Sequence, residues 1–420
     1  MKVCFSRLYF KSLWKTGGIF ILLILTMQKI IFTEEYCKPE NLHPFTFTRH
    51  IPDIRIGILT IREKWERMLK LVSYDKWEEN YLDDARAVRI EPGIEAGTSL
   101  LVHSNILPTP AIIKKIKSLK TGEFLSVSGE GGIALKFSPG EVTGLNKIKI
   151  RRSLNFDGPV KAIHYPWHIF QLNDWAIRED YKLLTAKRKS GSISKTNKLI
   201  NQAMIFAEAG VKMEHCLLNA STGPIYIGKN AEIMEGSMIR GPVSIGEGST
   251  VKMGTKLYGA TTIGPNCIVG GEIKNSILFG NSNKAHDGYL GDSVIGEWCN
   301  LGAGTTNSNV KNNCSEVKYW VDADKKEISA GIKGGLLMGD HSRSAINTSF
   351  NTGTVVGVSC NIYAETLTPK LLPNFSWGCD GIERYKLNKA LEDIGKWKKL
   401  KGASLSASEI SILTDIYKKF

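Results

Sequence analysis

Eight aliphatic residues stand six apart in unbroken succession: Ile227, Ile233, Ile239, Ile245, Val251, Leu257, Ile263 and Val269. No other feature narrows the folding of this chain as far. An amphipathic helix returns its apolar face about every 3.6 residues and a plain strand every second residue, so a period of six fits neither. It fits a coil with three flat sides, one hexapeptide to a side, and one aliphatic side chain per side pointing inward. Small residues let the chain turn the corners, and Gly228, Gly246 and Gly264 recur at a spacing of eighteen. Stacked coils pair their backbones at strand spacing, roughly 4.8 Å. A parallel β-helix is therefore expected. A second run, Ile332, Met338, Phe350, Val356 and Ile362, keeps the step with Ser344 as its exception, and Gly339 and Gly357 are again eighteen apart.

The register is disturbed in one place. Val269 to Ile277 is eight residues and Leu290 to Ile295 is five. Beyond Leu301 a polar stretch interrupts the repeat until Ile332, and it reads as a loop or hairpin thrown out across about 307–331. Sequence rules tend to fail at functional sites. The disturbed register contains KAHDGYLGDSVIGEWCNLGAGTTNSN (284–309), with a histidine, a tyrosine and asparagines in quick succession.

Ahead of the repeat, residues 27–185 alternate short apolar runs with helical patterns. QKIIF (28–32), RIGILTI (55–61) and SLLVHS (99–104) read as strands. EKWERMLKLV (63–72), AIIKKIKSL (111–119) and WHIFQLNDWAIREDYKLL (167–184) read as helices. Such alternation argues for an α/β domain with a central sheet. Residues 186–200 are basic and serine-rich without apolar period, and read as a linker. The β-helix is expected over 201–380 and a helical tail over 381–420. In that tail Leu387, Leu391 and Ile394 share a face, and Ser406 with Glu409 forms a candidate capping box. The tail is expected to pack on the prism or on a neighbouring subunit.

Residues 1–26 join Lys2, Arg7, Lys11 and Lys15 to an apolar core from Ile19 to Leu25. They resemble a signal peptide or short anchor, but the run is short for a bilayer and no A-x-A site follows. Met27 is the expected start, the first 26 residues being a translated upstream stretch. The expected location is then cytoplasmic. A genuine 1–26 segment would make the chain membrane-anchored or exported. The formal net charge is +14, and removing those four basic residues leaves +10. A positive excess favours anionic partners. With no zinc-finger spacing, aromatic RNA-binding motif or heptad-plus-basic region, small phosphorylated molecules are expected rather than nucleic acid, and no stable membrane span. Eight scattered cysteines without a CxxC pair argue against a disulfide framework or zinc site.

The segment GGEIKNSILFGNSNKAHDGYLGDSVIGEWCNLGAGTTNSN (270–309) is similar to the acetyltransferase half of the bifunctional bacterial N-acetylglucosamine-1-phosphate uridyltransferase/glucosamine-1-phosphate acetyltransferase family. That family's pattern runs E-V-K-K, G-H-x-x-Y-L-G-D, I-G-x-x-x-N-I-G-A-G-T, then C-N-Y. No gap is needed from Glu272 to Asn309. The resemblance implies a left-handed β-helix that acetylates an amino-sugar 1-phosphate, glucosamine 1-phosphate, from acetyl-CoA. It implies that His286 is the general base and that Asn300 stands near the reacting amine. Lys274, Tyr289 and Asn309 would bind the substrate, and the Ala303 backbone would contact acetyl-CoA. The family's phosphate-binding arginine one coil earlier is here Lys256, which lacks the bidentate fork. Val310 replaces the tyrosine after Asn309, and a further family lysine has no counterpart.

The chemistry of these residues agrees. Lys256 and Lys274 are eighteen apart, so they should stack on adjacent coils as a phosphate clamp, unless they are ordinary solvated charges. Amine acetylation needs a base near neutral pH, which suits histidine. The N–H groups of Gly302, Ala303 and Gly304 could stabilise an oxyanion. The bland alternative is that His286 decorates a coil edge. His341, in MGDHSRSAIN, either orders the loop or has no role.

The N-terminal half lacks the glycine-rich phosphate loop of sugar nucleotidyltransferases: no glycine occurs between Gly18 and Gly57. PFTFTR, DIRIGI, IREKWE, HSNILPTP (103–110) and IFQLN (169–173) resemble an alternative bacterial branch that fuses a sugar nucleotidyltransferase domain to the same β-helix. That branch implies uridylyl transfer from UTP to a sugar 1-phosphate with Mg2+. Arg49, Arg55 and Lys64 are the candidates to neutralise the phosphates, or Arg55 and Lys64 merely pair with Asp53 and Glu63 or Glu66. No metal ligands are assigned. The expectation is an enzyme of nucleotide-sugar synthesis, and the resemblance implies a homotrimer. The competing readings are an acyltransferase alone, or a non-catalytic nucleotide-sugar-binding regulatory or assembly protein. The non-catalytic reading gains if Lys274, His286 and Asn300 face different sides of the prism.

Overall fold

A computed structural model describes residues 29–34, 37–73, 98–127, 131–138, 142–143, 147–379 and 383–419. The 1–26 segment and Met27 lie outside the described residues.

The hexapeptide run folds as its period requires. All eight aliphatic residues from Ile227 to Val269 are at most 1 % exposed and fill the axis of a parallel β-solenoid. Its three sides are sheets that begin at Lys198–Ile200, Ile205–Ala207 and Lys212–Met213 and climb coil by coil in parallel pairing. We call them the first, second and third sides. The corner between the second and third sides is a column of left-handed residues: Asn230, Gly248, Asn266, Asn281, Trp298, His341 and Ser359. Asparagine and histidine tolerate that conformation better than most side chains. His341 thus stands where the backbone turns, its N–H bonded to the Glu297 carbonyl at 2.9 Å. Ser344, the exception in the aliphatic run, points inward and meets Thr305 Oγ1 at 3.0 Å. Ile332 does not point inward: it is 57 % exposed in the return from the insertion, and the second inward run starts at Met338.

The N-terminal domain is built on a mixed sheet ordered 152–155, 123–127, 131–137, 99–103, 29–33, 72–73. The stretch read as one strand at 55–61 is instead a hairpin, Arg55–Ile56 against Leu59–Thr60, that opens into the Ile61–Leu69 helix. A capping box starts that helix: Glu63 N–H bonds Thr60 Oγ1 at 3.2 Å and Thr60 N–H bonds Glu63 Oε2 at 2.7 Å. The 167–184 pattern breaks into helices Trp167–Gln171 and Asn173–Thr185.

The two halves share one core. On the second side the outward column reads Tyr226, Ser244, Thr262, Ile277, Val294, Leu337, Val355. It turns apolar at Ile277, and from there upward the column joins the N-terminal core. Ile277 therefore faces outward, and the inward positions after Val269 are Ile273 and Leu278. The 307–331 insertion is a hairpin, Lys318–Val321 against Lys326–Ser329, whose Val317, Tyr319 and Val321 enter the same core. The tail forms helices Leu387–Leu400 and Ala407–Lys419, the second opened by the Ser406–Glu409 box. It packs on the prism: Lys401 Nζ bonds the carbonyls of Asn266 and Asn281, both at 2.9 Å.

Candidate active site

The irregular coils have a definite geometry. Val251 pairs with Val269 eighteen residues on, but Val269 pairs with Lys284 only fifteen on. The loss falls largely at the corner between the third and first sides. There Gly270 and Gly271 alone separate the Val269 strand from the Glu272–Lys274 strand. The corner above it, Ala285–Gly288, has the usual length and lies tightly on the glycines. A Cβ on Gly270 would meet Ala285 O at 2.3 Å, and one on Gly271 would meet His286 O at 2.9 Å. His286 stands on this corner, exposed.

The first side carries the polar network next to that corner. Tyr289 Oη accepts from Asn309 Nδ2 at 3.1 Å, and Asn309 also donates to Asp292. Asn275 Nδ2 donates to the other Asp292 oxygen at 2.6 Å. Burial, with Asp292 nearby, pushes the Tyr289 phenol up to about 12. Lys274 Nζ lies 5.7 Å from the Tyr258 ring centroid, and Tyr258 Oη donates to Glu272 Oε1 at 2.6 Å. Lys274 lines a cleft of about 590 Å³ together with Arg240, Lys333, Tyr258, Asp292 and Arg178, the last from the Asn173–Thr185 helix. Neither Arg240 nor Lys333 was singled out by the sequence. The cleft lies between segments distant in the chain, which no local motif reveals.

Other expected residues fall elsewhere. Lys256 and Lys274 lie on adjacent coils but do not stack: Lys256 pairs with Glu272, and Lys274 with Tyr258, because the coil between them is two residues short. Asn300 lies on the third side, its side-chain oxygen 3.3 Å from Asn283 Nδ2. Lys274, Tyr289 and Asn309 thus share one side, Asn300 occupies the next, and His286 stands on the edge between them. At the Gly302–Gly304 corner, Gly302 N–H donates to Ser344 O at 3.2 Å and Gly304 N–H to Asp287 O at 3.1 Å. Of the three candidate oxyanion donors, only Ala303 N–H is left without a protein acceptor among the described residues.

Arg49 and Lys64 are buried, Arg55 is half-buried, and all three are engaged by protein groups. Arg49 is buried, ion-paired with Asp340 and 4.0 Å from Glu297, with Phe279 beneath it at 4.9 Å. Arg55 Nε bonds Phe279 O at 3.1 Å. Lys64 is buried in an ion pair with Asp180, whose carboxylate also accepts the N–H groups of Ile58 and Leu59. Arg49 and Arg55 join the domain to the solenoid, while Lys64 with Asp180 ties the Ile61–Leu69 helix to the Asn173–Thr185 helix. Local charge in a sequence cannot distinguish such anchors from phosphate ligands. The polar groups near the carboxyl ends of the parallel strands 29–33 and 99–103 are others: Glu34, His50, Asn105 and His164. Among the described residues no three His, Cys, Asp or Glu side chains converge to hold a metal ion, and no helix is long and apolar enough to cross a membrane.

Residues 30–189 match the sugar nucleotidyl transferase family. The chain is 31 % identical over 242 residues to a bifunctional sugar-1-phosphate nucleotidylyltransferase/acetyltransferase of Sulfurisphaera tokodaii, across 57 % of this chain and 53 % of that protein. It is 38 % identical over 104 residues to the bifunctional protein GlmU of Methanocaldococcus jannaschii, across 24 % of this chain and 25 % of that one. The chain therefore spans about half the length of the first of these relatives and a quarter of the second. The match to the solved polySia-specific acetyltransferase NeuO covers 50 % of this chain and 99 % of that one at 12 % identity, with a TM-score of 0.27. Residues 30–189 are thus similar to sugar nucleotidyl transferases and parts of the chain to bifunctional nucleotidylyltransferase/acetyltransferases, and in the structure a parallel β-solenoid and a helical tail follow the N-terminal domain.

Proposed function

We propose that this protein acetylates the amine of an amino-sugar 1-phosphate, with glucosamine 1-phosphate as the acceptor and acetyl-CoA as the donor. The observation that carries the reading is the placement of His286 on an edge. On one side of it lies the Lys274–Tyr289–Asn309 network; on the other lie Asn300 and the uncommitted Ala303 N–H. By the criterion of a single shared face, this split favours a binding module. Transfer between two substrates needs something different: two sites that meet. An acceptor held along the first side and a thioester along the third would bring nitrogen and carbonyl together beside His286. The imidazole takes a proton from the amine as its nitrogen attacks the thioester carbonyl, and Ala303 N–H meets the developing oxyanion. Collapse of the tetrahedral intermediate breaks the C–S bond and expels CoA, whose thiolate takes up the proton. A homotrimer would let a second copy cover the same edge.

For the N-terminal domain we infer transfer of a nucleotidyl group, uridylyl from UTP, to the sugar 1-phosphate, with release of pyrophosphate. The strand order reverses around strand 29–33, and ligands of open α/β sheets bind outside the carboxyl ends of strands at such a point. Glu34, Asn105 and His164 stand there. Mg2+ carried on nucleotide phosphates needs only one or two protein carboxylates, so Glu34 is the residue that would meet it.

Release of free CoA by the full chain, given acetyl-CoA and glucosamine 1-phosphate, tests the first reading. The His286→Ala variant is expected to lose about a hundredfold or more in kcat, the usual contribution of a positioned base. Equal turnover in both proteins would remove His286 from the mechanism.

A further inference from the structure

Besides Ser344, one inward position of the third side breaks the aliphatic rule, and it carries a charge. At the end of each third-side strand the inward column reads Val251, Val269, Lys284, Leu301. Lys284 is 1 % exposed. Among the described residues no carboxylate lies within ion-pair distance of its Nζ. That nitrogen instead donates to two main-chain carbonyls, Gly270 O at 3.1 Å and the carbonyl of His286. Burying an ammonium with no counterion is costly, and an aliphatic residue here would continue the pattern at no such cost.

The geometry of the corner explains what the ammonium does. The Gly270–Gly271 corner is short and the Ala285–Gly288 corner above it is of full length, so the upper one cannot follow the lower one strand for strand. The mismatch turns two carbonyls, one from each corner, toward the interior. Lys284, at the start of the upper corner, reaches into that gap and bonds both. Burial lowers its pKa to about 8, against Asp287 outside, but either protonation state keeps hydrogens to donate.

We propose that Lys284 is a positioning residue: an internal strut that holds the Ala285–Gly288 corner and so fixes where the His286 imidazole stands. The inference rests on His286 being the base of the proposed acetyl transfer. It predicts that removing the donor harms the chemical step while sparing the fold.

Two variants of the full chain test this. Lys284→Met keeps the length and removes the donor; Lys284→Gln keeps an N–H donor without the charge. The expected result is a melting temperature for Lys284→Met equal to or above the parent's. Its kcat for acetyl transfer should fall about tenfold or more, with both KM values within about twofold, as misplacing a reacting group demands. Lys284→Gln should hold kcat within about threefold of the parent, since a donor remains. A Lys284→Met protein with kcat within about twofold of the parent would overturn the proposal, as would equal losses in both variants. If the parent itself transfers no acetyl group, the acetyltransferase reading fails and the strut is judged apart from it. The 1H–13C correlation of the His286 imidazole should then shift in Lys284→Met and stay in place in Lys284→Gln. A correlation unmoved in both variants would dispose of the strut. Should Lys284→Met not fold, Lys284→Gln with the parent's kcat and imidazole position supports the strut, and loss of either contradicts it.

Discussion

Arg49 looks like a phosphate ligand and is instead held by Asp340 and Glu297 beneath the solenoid. Breaking a buried ion pair leaves one charge uncompensated, at a cost of roughly 3–5 kcal/mol. Arg49→Ala should therefore lower unfolding stability by about that much in a denaturant titration, while nucleotide affinity per folded molecule stays unchanged. A selective loss of nucleotide binding with unaltered stability would return Arg49 to the phosphate site. Lys284 gives a test of sign. Its pKa is lowered to about 8 in the folded protein from 10.5. Between those values the unfolded chain binds more protons, so this group's contribution to stability rises with pH across that window. The parent should thus gain in melting temperature relative to Lys284→Met from pH 7.5 to pH 10, about the span of that window. A constant difference would mean that Lys284 titrates normally.

At the scale of elements, legibility followed periodicity. The hexapeptide ladder was readable because each inward residue must be apolar and each coil repeats the demand, and every residue from Ile227 to Val269 sits where the period puts it. The reading failed where the coil shortened. Ile277, eight residues after Val269, faces the N-terminal core, and Lys256 and Lys274 slid out of stack, because two residues dropped at one glycine corner shift every partner above it. Ile332 kept the step by coincidence. The stretch read as a loop or hairpin over about 307–331 is a hairpin, but its Val317, Tyr319 and Val321, alternating with period two, enter the N-terminal core rather than standing off the prism. A paired substitution separates ladder from coincidence. Met338→Ala should cost about 2–5 kcal/mol as a core truncation, and Ile332→Ser should stay within about 0.5 kcal/mol as a surface change. Thermal unfolding of both proteins checks this, and comparable losses would place Ile332 in the core after all.

For the whole molecule, the structural point is that the two domains are not beads on a linker. The outward column that turns apolar at Ile277, the inserted hairpin and the Arg49 and Arg55 anchors make one continuous core from the N-terminal domain into the solenoid. The Asn173–Thr185 helix even supplies Arg178 to the cleft beside Lys274. The candidate base was legible because its neighbours keep a family spacing. The Lys284 contacts to two corner carbonyls and the cleft cations Arg240 and Lys333 beside Lys274 were not, because these groups come together only after coils of unequal length are stacked. The central claim is that an acetyl group crosses the edge at His286 from a thioester to an amine. The most direct measurement is to supply the full chain with acetyl-CoA labelled in the acetyl group and with glucosamine 1-phosphate, and to locate the label by mass spectrometry. The account predicts label on the sugar nitrogen, and none there when His286 is alanine. Label found only in unreacted acetyl-CoA or in free acetate would contradict it.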